Sequence, residues 1–224
     1  MERIPGWSDV KSDDYITYDK LEMGPHFCVV KNVKLDKIQG RNGEFQTLTI
    51  LLDTSDKDKQ PMFYSNRYKI DAESDATKAK WKGTYKLFIP KNDGSEGDET
   101  TKKILKTFIT SIERSNPGYD WEKANWDEKT LVGKQFIGVF GLREFETNDG
   151  RVIPFTECRS VRSTENDISK INIPKVKLLD NTYKDYEEYI REKEAAEDKK
   201  DKEYEEHLNN LDNNEDDSDL DLPF

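Results

Sequence analysis

Residues 26–53 read HFCVVKNVKLDKIQGRNGEFQTLTILLD, and this stretch carries the clearest β-strand pattern of the chain. Apolar and β-branched residues recur at two-residue spacing from His26 to Ile38 and again from Glu44 to Asp53, which predicts two strands. Between them stands Asn42-Gly43, a dipeptide that is preferred in tight hairpin turns. The stretch therefore predicts a long β-hairpin at the start of the folded part of the chain.

Further extended segments follow this hairpin. The patterns predict a third strand at Pro61–Ile70, a short extended run at Gly83–Pro90, and two last strands at Lys134–Glu146 and Arg151–Arg162. Thr147–Gly150 joins the last two strands as a hairpin turn.

One helix is predicted over residues 99–115. Its apolar side chains recur on one face, and they are Ile104, Leu105, Phe108, Ile109 and Ile112. Asp98 or Thr100 is expected to cap its start, and Asn116-Pro117-Gly118 ends it because proline cannot continue a helix.

Three strands, a helix and two strands follow one another in the order of an OB-fold. This mainly-β fold is a five-stranded barrel with one helix between strands 3 and 4, and it binds oligonucleotides on its strand 2–3 face and neighbouring loops. A small β-sandwich shares many of these signals, and the position of the helix favours the barrel.

The charge is unevenly distributed along the chain. Residues 181–224 hold 17 acidic and 6 basic residues, a net charge of −11, which equals the net charge of all 224 residues. Residues 1–180 are therefore neutral, and we expect a domain at 24–180, preceded by an arm at 1–23 and followed by a partly helical linker at 181–206. Residues 207–224 are expected to form a disordered acidic tail, because six acids without Lys or Arg cannot bury enough apolar surface to order.

Several classes of function are disfavoured by the residues themselves. Without an apolar run of about 20 residues or a signal-peptide pattern, the chain is expected to be cytoplasmic and away from membranes. Cys28 and Cys158 then read as reduced core residues. His26 and His207 are the only histidines, and no phosphate-binding loop or dinucleotide motif occurs. We expect no enzyme, no metal and no cofactor.

The remaining pattern is typical of single-strand binding, which combines cations along the phosphates with aromatic rings on which bases stack. We expect DNA contacts from Arg41, Tyr64, Arg67, Tyr68, Lys69, Trp81, Lys82, Tyr85, Lys86, Arg143 and Arg151. Tyr68 and Trp81 are the preferred stacking platforms. The alternative is that these aromatics pack in the core and these cations form ordinary solvated surface. Trp121 and Trp126 are expected to clamp their connector onto the domain.

The last residues, Asp216 to Phe224, read DDSDLDLPF. This ending resembles the acidic tip of bacterial single-stranded DNA-binding proteins, in which several Asp precede a short apolar Pro-Phe terminus. The resemblance implies that a docking tip recruits replication, recombination and repair proteins. Its residues are Asp219, Leu220, Asp221, Leu222, Pro223 and Phe224.

A second resemblance spans about residues 60–165. RYK, KW-x-G-x-Y, S-N-P-G-Y, L-V-G-K, N-D-G-R and R-S-V follow in that order. This series looks like a group of phage replication or recombination proteins from Gram-positive hosts that bind single-stranded DNA. It implies the same function as the tail does, in the cytoplasm of a bacterial host.

Two other functions fit the same residues. One is a β-barrel adaptor that binds protein and not nucleic acid, and the other is a protein that anneals complementary strands. Charge alone also predicts that the tail competes with DNA for the cationic face, so that deleting residues 207–224 raises DNA affinity at low salt. A homo-oligomer is left open by the sequence.

Overall fold

The computed structural model describes residues 20–40, 43–77 and 79–212. Most of the predicted N-terminal arm, Arg41 and the tip Asp219–Phe224 lie outside the described residues. The chain divides into two compact units. The first comprises the chain up to Gly141 together with Phe155–Pro174, and the second comprises Leu142–Pro154 and the chain from Lys175 onward.

The fold is mainly β. Its strands are β1 (Gly24–Gly40), β2 (Gly43–Thr54), β3 (Thr84–Phe88), β4 (Gln135–Glu146), β5 (Val152–Arg162), β6 (Val176–Lys177) and β7 (Tyr183–Lys184). They form a seven-stranded sheet in the order β3-β2-β1-β4-β6-β7, with β5 also paired to β4. The sheet is mixed because β6 runs parallel to β4. Among the described residues, the strand pairings leave it open rather than closed into a barrel.

The β1–β2 hairpin confirms the two strands predicted at His26–Ile38 and Glu44–Asp53. Lys34 lies opposite Thr49 and Leu35 lies opposite Leu48, with one irregularity between Val30 and Asn32. β3 extends the register, so that Lys86 pairs with Thr49 and Leu87 with Leu48. Since side chains alternate between the two sides of a strand, two faces result. The outer face carries Lys34, Phe45, Thr49, Lys86 and Phe88, and the inner face carries Val33, Leu35, Leu48, Ile50 and Leu87.

The inner face forms the core together with a helix. α2 (Glu96–Ser115) buries Phe108, Ile109 and Ile112. The helix prediction is therefore confirmed with an earlier start, at which the Ser95 side chain accepts from the Asp98 amide at 3.2 Å. The N-cap is Ser95 and not Asp98 or Thr100, because the Ser95 hydroxyl oxygen lies before the first turn and accepts from an amide of that turn.

The predicted third strand at Pro61–Ile70 is wrong. This segment forms a helix, α1 (Phe63–Asp75), which lies between β2 and β3 along the chain. Its N-cap residue, Met62, has a left-handed φ of 54° and provides no side-chain cap. The end of β2 replaces the cap, because Asp53 accepts from the Tyr64 amide at 2.8 Å. Thr54 Oγ1 accepts from the Phe63 amide at 2.9 Å.

The second unit contains the last helix, α3 (Tyr186–Asp212). Tyr189 is buried, and its hydroxyl donates to Glu144 Oε1 at 2.9 Å. From Arg191 to Tyr204 every described side chain is exposed. The predicted linker is thus helical from Tyr186, and the helix continues beyond the predicted boundary at residue 206.

Candidate nucleic-acid interface

Two aromatic rings and a lysine form a cluster on the outer face of the first unit. The ring centroids of Phe45 and Phe88 lie 6.1 Å apart at an interplanar angle of 74°. Lys91 Nζ lies 4.0 Å from the Phe45 centroid, within the range of a cation–π contact. The Phe88 side chain is 50% exposed although it is large and apolar. We call Phe45, Phe88 and Lys91 the Phe88 cluster.

Lysines continue the outer face beside this cluster. Lys86 is two residues from Phe88 on the same strand, and it is exposed without an ion-pair partner among the residues described. Lys34, across Thr49 from Lys86, lies 2.8 Å from Asp36. Exposed ion pairs of this kind contribute little, about 0–1 kcal/mol, so a phosphate can replace the carboxylate.

A second cluster lies where α1 meets the start of β3. The rings of Tyr68 and Trp81 are 6.0 Å apart, and Tyr68 is 41% exposed. Trp81 is partly buried because its Nε1 donates to the carbonyl oxygens of Leu52 and Gly83, at 3.1 and 2.9 Å. These bonds fix the indole against the end of the β2–β3 pair. The two predicted platforms are therefore neighbours, and Tyr68 presents the more exposed ring.

The predicted cations of this cluster share one carboxylate. Asp71 lies 3.4 Å from Arg67 Nε and 2.7 Å from Lys82 Nζ. Hydrogen bonding from Lys82 holds the pKa of Asp71 below its ordinary value, so Asp71 remains ionised and partly neutralises both cations. Lys69, on the same helix, is exposed. A phosphate can therefore pair with Lys69 at a lower free-energy cost than with Arg67 or Lys82, because those two cations already pair with Asp71.

Two of the predicted contact residues lie in or against the core. Tyr64 is 6% exposed, and its ring lies 6.3 Å from that of Phe140. Tyr85 is half-buried, and its ring lies 6.0 Å from that of Phe108. Burial raises the pKa of Tyr85 to about 12. Tyr64 therefore offers almost no surface to a base, whereas part of the Tyr85 ring lines a small cavity on the other side of the strand from the outer face.

The remaining predicted arginines lie on the β4–β5 hairpin in the second unit. Arg143 and Arg151 are both exposed, and Arg151 Nε lies 2.8 Å from Asp149. Phe145, two residues beyond Arg143 on the same strand, is also exposed. The hairpin thus carries arginine and aromatic side chains together, as single-strand binding requires.

Phe45, Phe88, Lys91 and Phe145 are not among the predicted DNA contacts. Phe88 was identifiable, because it shares the parity of Lys86 and lies on the opposite side of the strand from the buried Leu87. Phe45 and Lys91 were not, because their contact depends on the β2–β3 register and on the turn after β3.

The core also holds titratable groups. Burial raises the pKa of the Cys158 thiol to about 12, so it stays protonated. His26 Nδ1 lies 2.8 Å from Asp58 Oδ1, and Nε2 lies 2.9 Å from the Glu22 carbonyl oxygen. Both ring nitrogens thus face an oxygen that can accept a hydrogen bond. The pair joins the start of β1 to the turn after β2.

Within residues 20–40, 43–77 and 79–212, no group of three or more His, Cys, Asp or Glu side chains is placed to hold a metal ion. None of the helices in these ranges is both long and apolar enough to cross a bilayer. No protein-family model matches the chain, and no curated protein matches its sequence significantly.

Proposed function

We propose that this protein binds single-stranded DNA without sequence preference, through the outer face of an OB-fold. The observation that carries the proposal is the Phe88 cluster, in which an exposed aromatic ring stands beside lysines on the strand 2–3 face. Base stacking on such a ring stabilises a complex by about 1–3 kcal/mol per base, whatever the base.

The strand connections support the OB-fold. β1 pairs with both β2 and β4, β3 pairs with β2, and β5 pairs with β4. α2 follows β3 and covers the inner faces. Tyr85 of β3 and Val161 of β5 line the same small cavity of about 210 Å³, so the two strands whose pairing closes such a barrel lie close to each other. The additional helix α1 is then an insertion between strands 2 and 3.

The two clusters define a path for the strand. Phe88 is the last residue of β3, and Trp81 lies three residues before the first, Thr84. Lys86 lies between them along the chain. At about 3.3 Å per residue, Thr84 to Phe88 spans roughly 13 Å. This length accommodates several phosphates of a single strand between two aromatic platforms. Arg143 and Arg151 lie on the β4–β5 hairpin of the second unit, in a loop region that OB-folds use for nucleic-acid contacts.

The C-terminal tip extends the proposal beyond DNA. Asp219–Phe224 would bring replication, recombination and repair proteins to coated DNA, in the manner that its resemblance to bacterial single-strand binders implies. The acidic residues before it would also compete with DNA for the outer face. Deletion of residues 207–224 should then raise affinity at low salt and have little effect at high salt, because salt screens exposed charges.

The test is a titration of the full chain with oligo-dT, followed by tryptophan fluorescence and by mobility shift, with a duplex of equal length as control. Salt-sensitive binding of the single strand only supports the proposal. Absence of binding by both methods overturns it.

A charge-reversal pair locates the interface. Lys34→Glu with Lys86→Glu should weaken oligo-dT binding by about tenfold or more at low salt, because two phosphate contacts become repulsive. Lys200→Glu with Lys202→Glu makes the same change of charge on exposed positions of α3. If both pairs weaken binding equally, the outer face is not the interface.

A further inference from the structure

A large groove lies beside the inner face of the β1–β2 hairpin, and its lining includes no residue of the Phe88 cluster. Its volume is about 1040 Å³, and it runs between the hairpin, α2 and the connector of residues 119–128. Its apolar lining residues are Leu35, Leu48, Ile89, Leu105 and Ile109. Leu35 is 44% exposed, although the next inner-face residues along the sheet are buried. The core is therefore left open at the tip of the hairpin.

The connector presents a tryptophan at this opening. Trp126 lines the groove and is 62% exposed, so it does not clamp the connector as its sequence suggested. Asn125 and Trp126 have φ angles of 52° and 60°, in the left-handed region that large side chains rarely occupy. The strained backbone here holds a large ring mostly in solvent, with an edge contact to Trp121, and such strain clusters at binding sites.

A second tryptophan leaves a polar atom unsatisfied in the wall of the groove. Trp121 is buried, and its ring meets that of Trp126 edge-on at 5.9 Å. Its Nε1–H is buried and has no hydrogen-bond acceptor among the described residues. Buried indole N–H groups usually find a partner. An occupant that shifts Trp126 and brings a carbonyl oxygen would supply one.

The charges around the groove decide which occupant fits. Lys102 lies 3.0 Å from both Asp98 and Glu99, so its charge is already compensated. Lys106 and the carboxylates of Glu113, Asp120, Glu122 and Glu128 also line the groove, so four acids face two lysines. Asp120 pairs with Lys123, whereas neither Glu122 nor Glu128 has an ion-pair partner within the described residues. These two carboxylates repel the phosphates of DNA and the acidic tail of this chain. They attract lysine and arginine.

We propose that this groove docks a short segment of a partner protein, with one or two large apolar side chains flanked by Lys or Arg. The apolar side chains would fill the space between Leu35 and Leu105 and pack against Trp126. The basic flank would pair with Glu122 and Glu128. The protein then joins DNA on one face of the hairpin to a basic partner on the other, independently of its acidic tip.

The test uses the full chain and two fluorescent peptides of about 12 residues, a length typical of groove-bound segments. Both peptides carry the same Leu and Phe anchors, one with Lys flanks and the other with Glu flanks. The Lys peptide should bind, as measured by anisotropy, and the Glu peptide should not. Equal binding of both, or of neither, overturns the proposal.

Variants assign the binding to the groove. Trp126→Ala should weaken the Lys peptide by about tenfold or more, as for a central interface aromatic. Leu35→Ala is a second variant at a half-exposed position, and it tests the groove if Trp126→Ala does not fold. Loss in neither variant overturns the proposal.

Charge controls separate groove binding from general attraction to an acidic chain. Glu122→Gln with Glu128→Gln should weaken the Lys peptide, whereas Glu187→Gln with Glu188→Gln, at exposed positions of α3, should not. An equal effect of the two pairs overturns the proposal. Displacement of the peptide by saturating oligo-dT would also overturn it, since the groove would then belong to the DNA site.

Discussion

The outer and inner faces of β1, β2 and β3 differ although the same three strands form both, with side chains that point alternately to one face and to the other. Lys34 points outward and is solvated, whereas Leu35, its neighbour, points inward and lines an apolar groove. On β3, Lys86 is likewise exposed on the outer face, whereas Leu87 is buried on the inner face. One hairpin therefore offers a cationic, aromatic surface and an apolar, acid-rimmed surface, and each variant in one face has a matched control in the other.

The largest expected effect is a loss of folding stability that affects both faces together. Asp58 accepts from His26 Nδ1 at 2.8 Å, from the Phe27 amide at 2.7 Å and from the Gln60 amide at 2.9 Å. Asp58→Ala leaves the buried Nδ1–H of His26 and two amides without this acceptor, which costs about 3–5 kcal/mol because each buried unsatisfied donor costs about 1–3 kcal/mol. Urea unfolding should show this loss. Asp56→Ala, an exposed acid in the same turn, should change the free energy of unfolding by less than about 0.5 kcal/mol.

The same carboxylate sets a pH dependence. Burial would raise the pKa of Asp58, but the hydrogen bonds from His26 and from the Gln60 amide outweigh it and hold the pKa below its ordinary value. The stabilisation is therefore complete above the unfolded pKa of about 3.9 and is lost as the pH falls through the lower folded pKa. The difference between the wild type and Asp58→Ala should shrink below pH of about 4. A constant difference would show that the ion pair does not form.

A smaller loss of folding stability should affect α1 first. Asp53 is buried and accepts from the amides of Thr54, Tyr64 and Ser65 and from the Ser65 hydroxyl. Asp53→Ala removes the substitute cap of α1 and should cost about 2–4 kcal/mol, since hydrogen bonds to a charged acceptor contribute about 1.5–3 kcal/mol each and are partly replaced by water.

Hydrogen exchange locates this loss. Amides of α1 should lose protection in Asp53→Ala, and α2, which lines the groove, should keep it. Glu73→Ala, at an exposed position of α1, should leave both unchanged. Equal loss in α1 and α2 would mean that Asp53 supports the whole unit and not one helix.

The strands and α2 were predictable because their patterns are local. Alternation in residues 26–53 gave the hairpin, and the apolar face of residues 99–115 gave α2. α1 was not predictable, since its amides are satisfied by Asp53 and Thr54, which precede it by about ten residues and belong to a strand. Its own sequence offers no cap and no strong apolar face.

The candidate site was predictable only in part, for a similar reason. Tyr68, Trp81, Lys82 and Lys86 lie on exposed or partly exposed positions, as expected from the mixture of aromatics and cations. Tyr64 and Tyr85 could not be separated from them by residue type, because an aromatic in a core and an aromatic on a platform look alike in a sequence. The groove depends on the left-handed turn at Asn125 and Trp126, which no local pattern announces.

A reciprocal pair of variants sharpens the comparison of the two faces. Phe88→Ala should weaken oligo-dT binding by about 5–100-fold, which corresponds to about 1–3 kcal/mol for one stacked base. Leu35→Ala should leave oligo-dT binding unchanged and weaken the Lys-flanked peptide. Phe88 is half-exposed and Leu35 nearly so, so both variants should remain folded by circular dichroism. If either variant lost binding of both ligands, the result would mean that the two faces form one site.

The smallest effect concerns a single charge on each face. Lys86→Gln should remove one phosphate contact, so the slope of the logarithm of DNA affinity against the logarithm of salt should become shallower by about 0.7. Lys106, an exposed lysine in the groove lining, makes no such contact, and Lys106→Gln should leave the slope unchanged. The slope reports phosphate contacts and is insensitive to moderate losses of stability. It therefore tests the outer face even where folding changes, and an equal shift in both variants would place DNA on both faces of the hairpin.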